Sequence, residues 1–236
     1  MFGYYMNSTW LYFLLVVPAL IISVIAQIKV KRTYSKMAKI RNTSGYTGAQ
    51  AAAAVLRHYG IMDVRIEETR GKLSDHFDPR HKVIRLSREV YYGNSIAAVG
   101  IACHEAGHAA QHAQGYAPIK LRNAIIPACN IGSYLGIPLA FAGYFFGFEP
   151  LILVGLGLYS LIAVFQLVTL PVEFNASARA VKVIDENGLL RSEEEISGAK
   201  KVLAAAAMTY VAALMVTLAN LLRFALLFLG KGRSRD

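Results

Sequence analysis

Two histidines and a glutamate in the stretch His104-Glu105-Ala106-Gly107-His108 form the pattern in this sequence that most clearly indicates chemistry. On an α-helix, residues four apart lie nearly one above the other, so His104 and His108 present two imidazoles to one point. A zinc ion held about 2.0–2.1 Å from each nitrogen fits that spacing. Glu105 lies beside the pair, where a carboxylate can take a proton from water on the metal. The pattern predicts a hydrolytic metal site.

A pattern with three fixed positions in five also occurs by chance, usually on a surface helix. A surface helix would normally carry more charge, whereas the stretch 96–110 has Glu105 as its single charged residue. Imidazoles and a carboxylate on a buried apolar helix need polar partners, and a metal ion supplies them. We therefore favour the metal site over the chance match, on a helix that we expect to begin near Ser95.

The composition is that of a membrane protein. The chain has 236 residues, 55% of them hydrophobic, and a mean hydropathy of +0.40. Its net charge of +10 does not indicate a nucleic-acid partner, because the basic residues flank apolar segments and serve as topology signals. The two cysteines, Cys103 and Cys129, form no C-x-x-C pattern and indicate no disulfide framework.

Apolar segments divide the chain into five parts. We predict an N-terminal transmembrane anchor at 1–28, a cytoplasmic α+β part with the motif helix at 29–123, a transmembrane hairpin at 124–172, a cytoplasmic helical segment with the third ligand at 173–201, and a C-terminal transmembrane helix with a basic tail at 202–236. The expected fold class is therefore mainly α, a polytopic membrane protein with about four transmembrane helices and a small α+β zincin-like cytoplasmic domain.

The orientation follows from the basic residues. The run from Lys29 to Arg41 follows the first apolar segment and places 29–123 in the cytoplasm, with the turn at 147–150 outside. No basic region precedes the first segment, so we prefer an uncleaved anchor to a cleaved signal peptide. We expect the fourth segment to cross the membrane fully. The basic tail would then lie outside, contrary to the positive-inside rule. Its residues are Lys231, Arg233 and Arg235.

The region before the motif helix reads as a small α+β unit. A helix is predicted at 47–59 with Thr47 as its N-cap, and alternating strands at 64–67 and 82–87, separated by the turn-rich segment 74–80. We expect the two strands to form a small antiparallel sheet. In many zinc peptidases an edge strand here pairs with the extended substrate. A hairpin that simply covers the motif helix fits the pattern equally well.

Two further helical features concern the second half of the chain. An amphipathic helix should follow the hairpin, from about Pro171 to Asn187, and Ser192 with Glu195 forms a capping box at the start of the last helix. Small residues in the hairpin predict close packing of its two helices; they are the glycines at 132, 136, 143, 155 and 157.

A catalytic zinc usually takes three protein ligands and keeps one position open. His112 lies two helical turns from His104, about 12 Å along the axis, which is too far to share one ion. The metzincin pattern fails as well, because Gln111 and Gln114 occupy its Gly and third-His positions. His112 is better read as a residue that supports the ligands. Ordinary surface or turn histidines are the simplest reading of His58, His76 and His81.

A carboxylate from another helix is the remaining type of third ligand, as in glutamate-type zincins. Glu173 is the best candidate, because it stands at the membrane exit of the hairpin, the interface to which the motif helix delivers its histidines. Asp185 and Glu186 lie nearer the end of their helix and read as solvated. The alternative for Glu173 is a plain helix-start carboxylate after Pro171, which would leave the zinc one ligand short.

Several segments together resemble the YugP-like neutral zinc metallopeptidases of bacterial membranes. They are the stretch 99–111 with its HEAGHAAQ core, the hairpin, and the stretch 170–177 around Glu173; 75–79 and 83–87 are similar too, so the resemblance covers most of the chain. It implies a zinc-dependent endopeptidase with one Zn²⁺ that is located in the bacterial plasma membrane and cleaves polypeptides. The basic run after the first span places its active site on the cytoplasmic side.

More distantly, the order of motif, hairpin and glutamate resembles the heat-shock membrane proteases and CAAX prenyl proteases. In that wider group an Asp four positions after the glutamate supports a ligand. Ser177 stands at this position here, and Asn175 can substitute for the Asp. The residues expected to support the ligands are therefore His112, Asn175 and Ser177.

The expected mechanism uses one zinc ion held by His104, His108 and Glu173, with Glu105 as the general base that takes a proton from the attacking water and returns it to the leaving amine. The group that stabilises the oxyanion is open; the candidates are His81, His112 and Arg179. A polypeptide substrate and membrane lipid are the expected partners, and nucleic acid is not.

Two rival functions fit parts of the sequence. In a non-catalytic membrane scaffold, zinc would only tie the motif helix to the hairpin, although such structural sites usually have four protein ligands. In a site-2-type intramembrane protease, the motif would lie within a span. Lys120 and Arg122 follow the motif before the next span begins, which disfavours that reading.

Overall fold

The computed structural model describes residues 9–229, and within them the protein is mainly helical with one small sheet. A π-helical turn at Tyr12–Val16 leads into α1. The helices are α1 (Val17–Met37), α2 (Gly48–His58), α3 (Arg88–Tyr91), α4 (Ile96–Ala113), α5 (Ala117–Phe146), α6 (Glu149–Glu186) and α7 (Glu193–Leu229). The first eight residues of the predicted anchor, and the basic tail with Lys231, Arg233 and Arg235, lie outside the described residues.

Four helical stretches among the described residues are long and apolar enough to cross a membrane, as the composition predicted: Thr9–Met37, Ala117–Phe146, Glu149–Glu186 and Glu193–Phe228. Contacts divide the chain into two compact units. The first takes its described residues from Met1–Ala26, Leu121–Leu170 and Thr209–Asp236. The second comprises Gln27–Lys120 and Pro171–Met208.

In the first unit, α5 and α6 form an antiparallel hairpin whose backbones approach closely at glycines. A Cβ atom at Gly136 would lie 2.7 Å from the backbone nitrogen of Tyr159, and one at Gly155 would lie 2.4 Å from that of Ala140. Only glycine allows this approach. The prediction is wrong for Gly157, where a Cβ would meet nothing within 4 Å.

Pro171 lies inside α6, which runs without a break from Glu149 to Glu186. The prediction that a new amphipathic helix begins near Pro171 is therefore wrong, whereas its predicted end near Asn187 is correct. A proline inside a helix removes one backbone donor and can still be accommodated in a long, well-packed helix. α7 then begins with the predicted capping box, in which the Glu195 amide donates to Ser192 Oγ at 3.1 Å.

The second unit contains a three-stranded sheet in the order β1-β3-β2, formed by β1 (Arg65–Thr69), β2 (His76–Asp78) and β3 (Val83–Ser87). The expected antiparallel pairing of the two predicted strands is wrong, since β1 and β3 are parallel. The predicted turn segment contains β2, which pairs antiparallel with β3 on its other side. The chain thus reverses twice between β1 and β3, which makes these two strands run the same way.

The motif helix α4 occupies the centre of the second unit's core. The helix begins near Ser95, as predicted, and the structure shows Ser95 as its N-cap, accepting a hydrogen bond from the Ala98 amide at 3.1 Å. The predicted helix at 47–59 is observed as α2, capped by Thr47. Small residues on α4 allow close neighbours: a Cβ at Gly107 would lie 2.6 Å from the carbonyl oxygen of Ala176, so α4 and α6 cross here in backbone contact.

Candidate metal centre

The helical register of α4 brings the two motif histidines together. The ring centroids of His104 and His108 are 4.7 Å apart, with the ring planes at 80°. Both side chains are largely buried, with 15% and 12% of their surface exposed. Gly107, next to His108 on the helix, allows the backbone of α6 at Ala176 to approach closely. The two imidazoles therefore form part of a polar cluster inside an otherwise apolar core.

Glu173 completes this cluster from α6. Its side chain is only 6% exposed, and its Oε2 lies 3.3 Å from His104 Nε2 and 3.7 Å from His108 Nε2. The three candidate ligand atoms all lie within 4.8 Å of one another. Donors about 2.0–2.1 Å from a tetrahedral zinc are about 3.3 Å apart, so the three residues fit a zinc ion in number, type and spacing. His112, in contrast, is exposed and does not join the cluster.

Each imidazole has a hydrogen-bond partner on its far nitrogen. His104 Nδ1 lies 3.1 Å from the Ser177 hydroxyl, and His108 Nδ1 lies 3.0 Å from the side-chain oxygen of Gln111. Because an amide oxygen only accepts, His108 Nδ1 carries a proton, and in the neutral ring Nε2 keeps the lone pair that a metal would take. Partners of this kind fix the orientation of histidines that bind metals.

Gln111 contacts the cluster, and the sequence interpretation did not identify it as part of the candidate site. It is fully buried, and its amide nitrogen donates to the carbonyl oxygen of Val172 at 2.8 Å and to Asn175 Oδ1 at 3.0 Å. One side chain therefore connects His108 on α4 to the turn of α6 that carries Glu173. The available signal was its position three residues after His108, which places both on one helical face.

The electrostatics of the cluster favour a bound cation. Burial by itself would lower the pKa of His108, but the nearby negative charges of Glu173 and Glu105 outweigh burial and raise that pKa. The surroundings thus stabilise positive charge between the carboxylate and the imidazoles. A metal ion can take the place of that proton when it binds.

Glu105 follows His104 on α4 and is half-buried. Within residues 9–229, no hydrogen bond or ion pair of its carboxylate is found, so the group is not held by another side chain. Among the residues expected to support the ligands, Ser177 contacts His104 directly. Asn175 acts one step further away, through Gln111. The ring of His112 packs against that of Phe77, with 5.9 Å between the ring centroids.

The remaining predicted candidates lie apart from the cluster. His81 is exposed and pairs with Asp78 at 2.7 Å. The guanidinium of Arg179 donates from Nε to Asn175 Oδ1 at 2.7 Å and from a terminal nitrogen to Gln114. The remaining two histidines also have local contacts: His76 with a backbone carbonyl and His58 with Glu186.

Comparison with known proteins also indicates a zinc peptidase. Residues 12–229 match a family described as "Putative neutral zinc metallopeptidase". The chain is 47% identical over 226 residues to "Putative membrane protease YugP" of Bacillus subtilis (strain 168), an alignment that covers 96% of this chain and 100% of the relative. No solved structure matches the chain.

Proposed function

The chain belongs to the neutral zinc metallopeptidase family, and from this premise we propose that it is a membrane-bound endopeptidase with one zinc ion at His104, His108 and Glu173. The observation that carries the proposal is the convergence of these three buried donors from two helices. Three protein ligands leave a fourth position open, as catalytic rather than structural zinc sites do. The scaffold alternative would need a fourth ligand, and no fourth donor joins the group among residues 9–229.

A bound zinc ion would supply a water of lowered pKa and would polarise the substrate carbonyl. The chain supplies the proton carrier: the Glu105 carboxylate accepts a proton from the attacking water and delivers it to the nitrogen of the leaving amine. Its half-buried place next to His104, with no competing hydrogen bond in the described chain, supports this role. Ser177 and Gln111 hold the two imidazoles in orientation through their Nδ1 atoms.

We propose that the polypeptide substrate binds along β2. This strand is at the edge of the sheet, and its Phe77 packs against His112, one turn beyond His108 on the motif helix. An extended peptide added to this edge would be held by main-chain hydrogen bonds, which demand no particular sequence. The enzyme would therefore select unfolded or extended segments. Any preference for particular side chains would come from contacts other than these main-chain hydrogen bonds.

We propose a plasma-membrane location with the active site facing the cytoplasm, on the strength of the basic run that follows the first apolar segment. In a variant lacking both native cysteines, single cysteines at Ser35 and Glu149 would be labelled in intact cells with an impermeant thiol reagent. Labelling at 149 but not at 35 is expected. Labelling at 35 would overturn the orientation without affecting the proposed chemistry.

The decisive experiment for the proposed activity is Glu105→Gln in the purified full chain. The variant should keep one zinc equivalent and the wild-type thermal midpoint, because the ligands are untouched. Cleavage of an unfolded reporter polypeptide should fall by about 10²–10⁴-fold, the usual contribution of a general base. Glu89→Gln, on an exposed glutamate of α3, is the matched control and should cleave normally. Undiminished cleavage by Glu105→Gln would refute the mechanism, and zinc binding without any wild-type cleavage would favour the scaffold.

A further inference from the structure

A basic groove of about 490 Å³ lies between α1 and α7 in the second unit. Its lining residues recur every three or four positions on both helices, so each helix contributes one face. From α1 they are Lys29, Arg32, Thr33, Lys36 and Met37, and from α7 they are Lys201, Ala204, Ala205 and Met208.

The groove combines positive charge with an apolar floor. Lys29, Arg32, Lys36 and Lys201 line it and no acidic residue does. All four are exposed, and within residues 9–229 none has a carboxylate at ion-pair distance. Four cations held on one concave surface repel one another unless an anion joins them. The charge distribution therefore favours an anionic occupant.

The place of these residues along their helices specifies the kind of anion. Lys29 directly follows the apolar stretch that ends at Ile28, and Lys201 directly precedes the apolar stretch that begins at Val202. Both helices thus turn from charged to apolar where they line the groove. A ligand that carries a phosphate beside acyl chains matches that change, whereas a soluble anion needs only the charged part.

Topology signals do not explain this arrangement. The positive-inside rule depends on how many basic residues flank a span and requires no particular side-chain geometry. Here Lys36 and Lys201 come from opposite ends of the chain and meet on one surface. We propose that the groove binds the headgroup of an anionic membrane phospholipid, with its phosphodiester among the four cations and its chains toward Ala205 and Met208. This inference is independent of the proposed peptidase activity.

The test uses two double variants of the delipidated full chain in neutral detergent. Lys36→Gln with Lys201→Gln removes two groove cations, while Lys39→Gln with Lys200→Gln removes two nearby cations that do not line the groove. Both variants have equal net charge and keep most of the basic run, so long-range attraction and topology are matched. Zinc content and thermal midpoint verify folding in each case.

Binding of phosphatidylglycerol, of phosphatidylcholine with the same chains, and of glycerol phosphate would be measured by native mass spectrometry. Phosphatidylglycerol should bind most tightly, and the groove variant should lose about 30-fold in its affinity, since each basic residue near a membrane surface contributes roughly fivefold. The control variant should lose less than about threefold.

Three results would each overturn the proposal. They are equal binding of the two phospholipids, equal losses in the two double variants, and binding of glycerol phosphate as tight as that of phosphatidylglycerol. The last result would mean that the groove takes a soluble phosphate ester instead of a lipid.

Discussion

Gln111→Leu is the substitution that best separates positioning of a ligand from packing of the core. The side chain is fully buried and makes three hydrogen bonds, to His108, Val172 and Asn175. Leucine fills a similar volume and makes none of them. All three partners lose their bond to residue 111. Asn175 Oδ1 still accepts a hydrogen bond from Arg179, so the loss falls mainly on His108 Nδ1–H and on the Val172 carbonyl.

The size of the effect follows from those two partners. A buried polar group left without its partner costs about 1–3 kcal/mol, so the loss of two such bonds should destabilise the fold by about 2–6 kcal/mol. The Val172 carbonyl belongs to a helix and retains its helical bond, which favours the lower half of that range. Freeing the imidazole of His108 should weaken zinc binding by about 10–100-fold, the usual effect of removing a group that orients a metal-binding histidine.

Gln111→Glu gives the complementary result. The carboxylate still accepts the hydrogen bond from His108 Nδ1, but it cannot donate to Val172 or Asn175. This variant should lose stability while keeping zinc affinity within about threefold of wild type, because carboxylates orient metal-binding histidines in the same way. Ala113→Leu, at an exposed position two residues later on the same helix, is the control and should change stability by less than about 0.5 kcal/mol.

Zinc affinity would be measured by competition with a fluorescent chelator, and stability by the thermal midpoint in detergent. The reasoning requires that Gln111→Leu and Gln111→Glu differ in zinc affinity although both are destabilised. If the two variants lose zinc equally, Gln111 contributes to core packing and not to the orientation of His108. If Gln111→Leu binds zinc as wild type does, the bond to His108 has no part in holding the site.

Two further substitutions test the assembly of the site. Glu173→Ala should lose its zinc on dialysis against a weak chelator, because two imidazoles hold the metal poorly, whereas His112→Ala should retain it; the reverse outcome would mean a different ligand set. Gly107→Ala places a Cβ 2.6 Å from the carbonyl oxygen of Ala176, so it should lower the free energy of unfolding by about 1–3 kcal/mol and weaken zinc binding as α4 and α6 separate. Gly100→Ala, whose Cβ would make an ordinary 3.4 Å contact, is its control, and equal melting of the two glycine variants would contradict this explanation.

The sequence by itself determined the features that depend on neighbours within one or two turns. The sequence predicted the motif helix with its start near Ser95, the N-cap Thr47, the capping box at Ser192 and the four apolar helices, because helical periodicity, caps and span length are local properties. The spacing of His104 and His108 belongs to the same class, since one helix positions both.

Only the tertiary structure decided the pairing of distant segments. The strands flanking 70–82 look alike whether they pair parallel or antiparallel, and their direction depends on β2, a three-residue strand whose local pattern reads as a turn. Likewise, helix signals cannot show whether α6 continues through Pro171, because the cost of a proline depends on the packing around it.

The same distinction between local and long-range determinants applies to the candidate site. The residue types and spacing at positions 104, 105 and 108 are enough to indicate metal chemistry, and the place of Glu173 at the end of the hairpin makes it the best candidate for the third ligand. That Glu173 lies 3.3 Å from one imidazole, and that Gln111 joins the other to α6, depends on how two helices cross at Gly107. A helix crossing is set by contacts between residues far apart in the chain, and no local pattern in one sequence encodes such contacts.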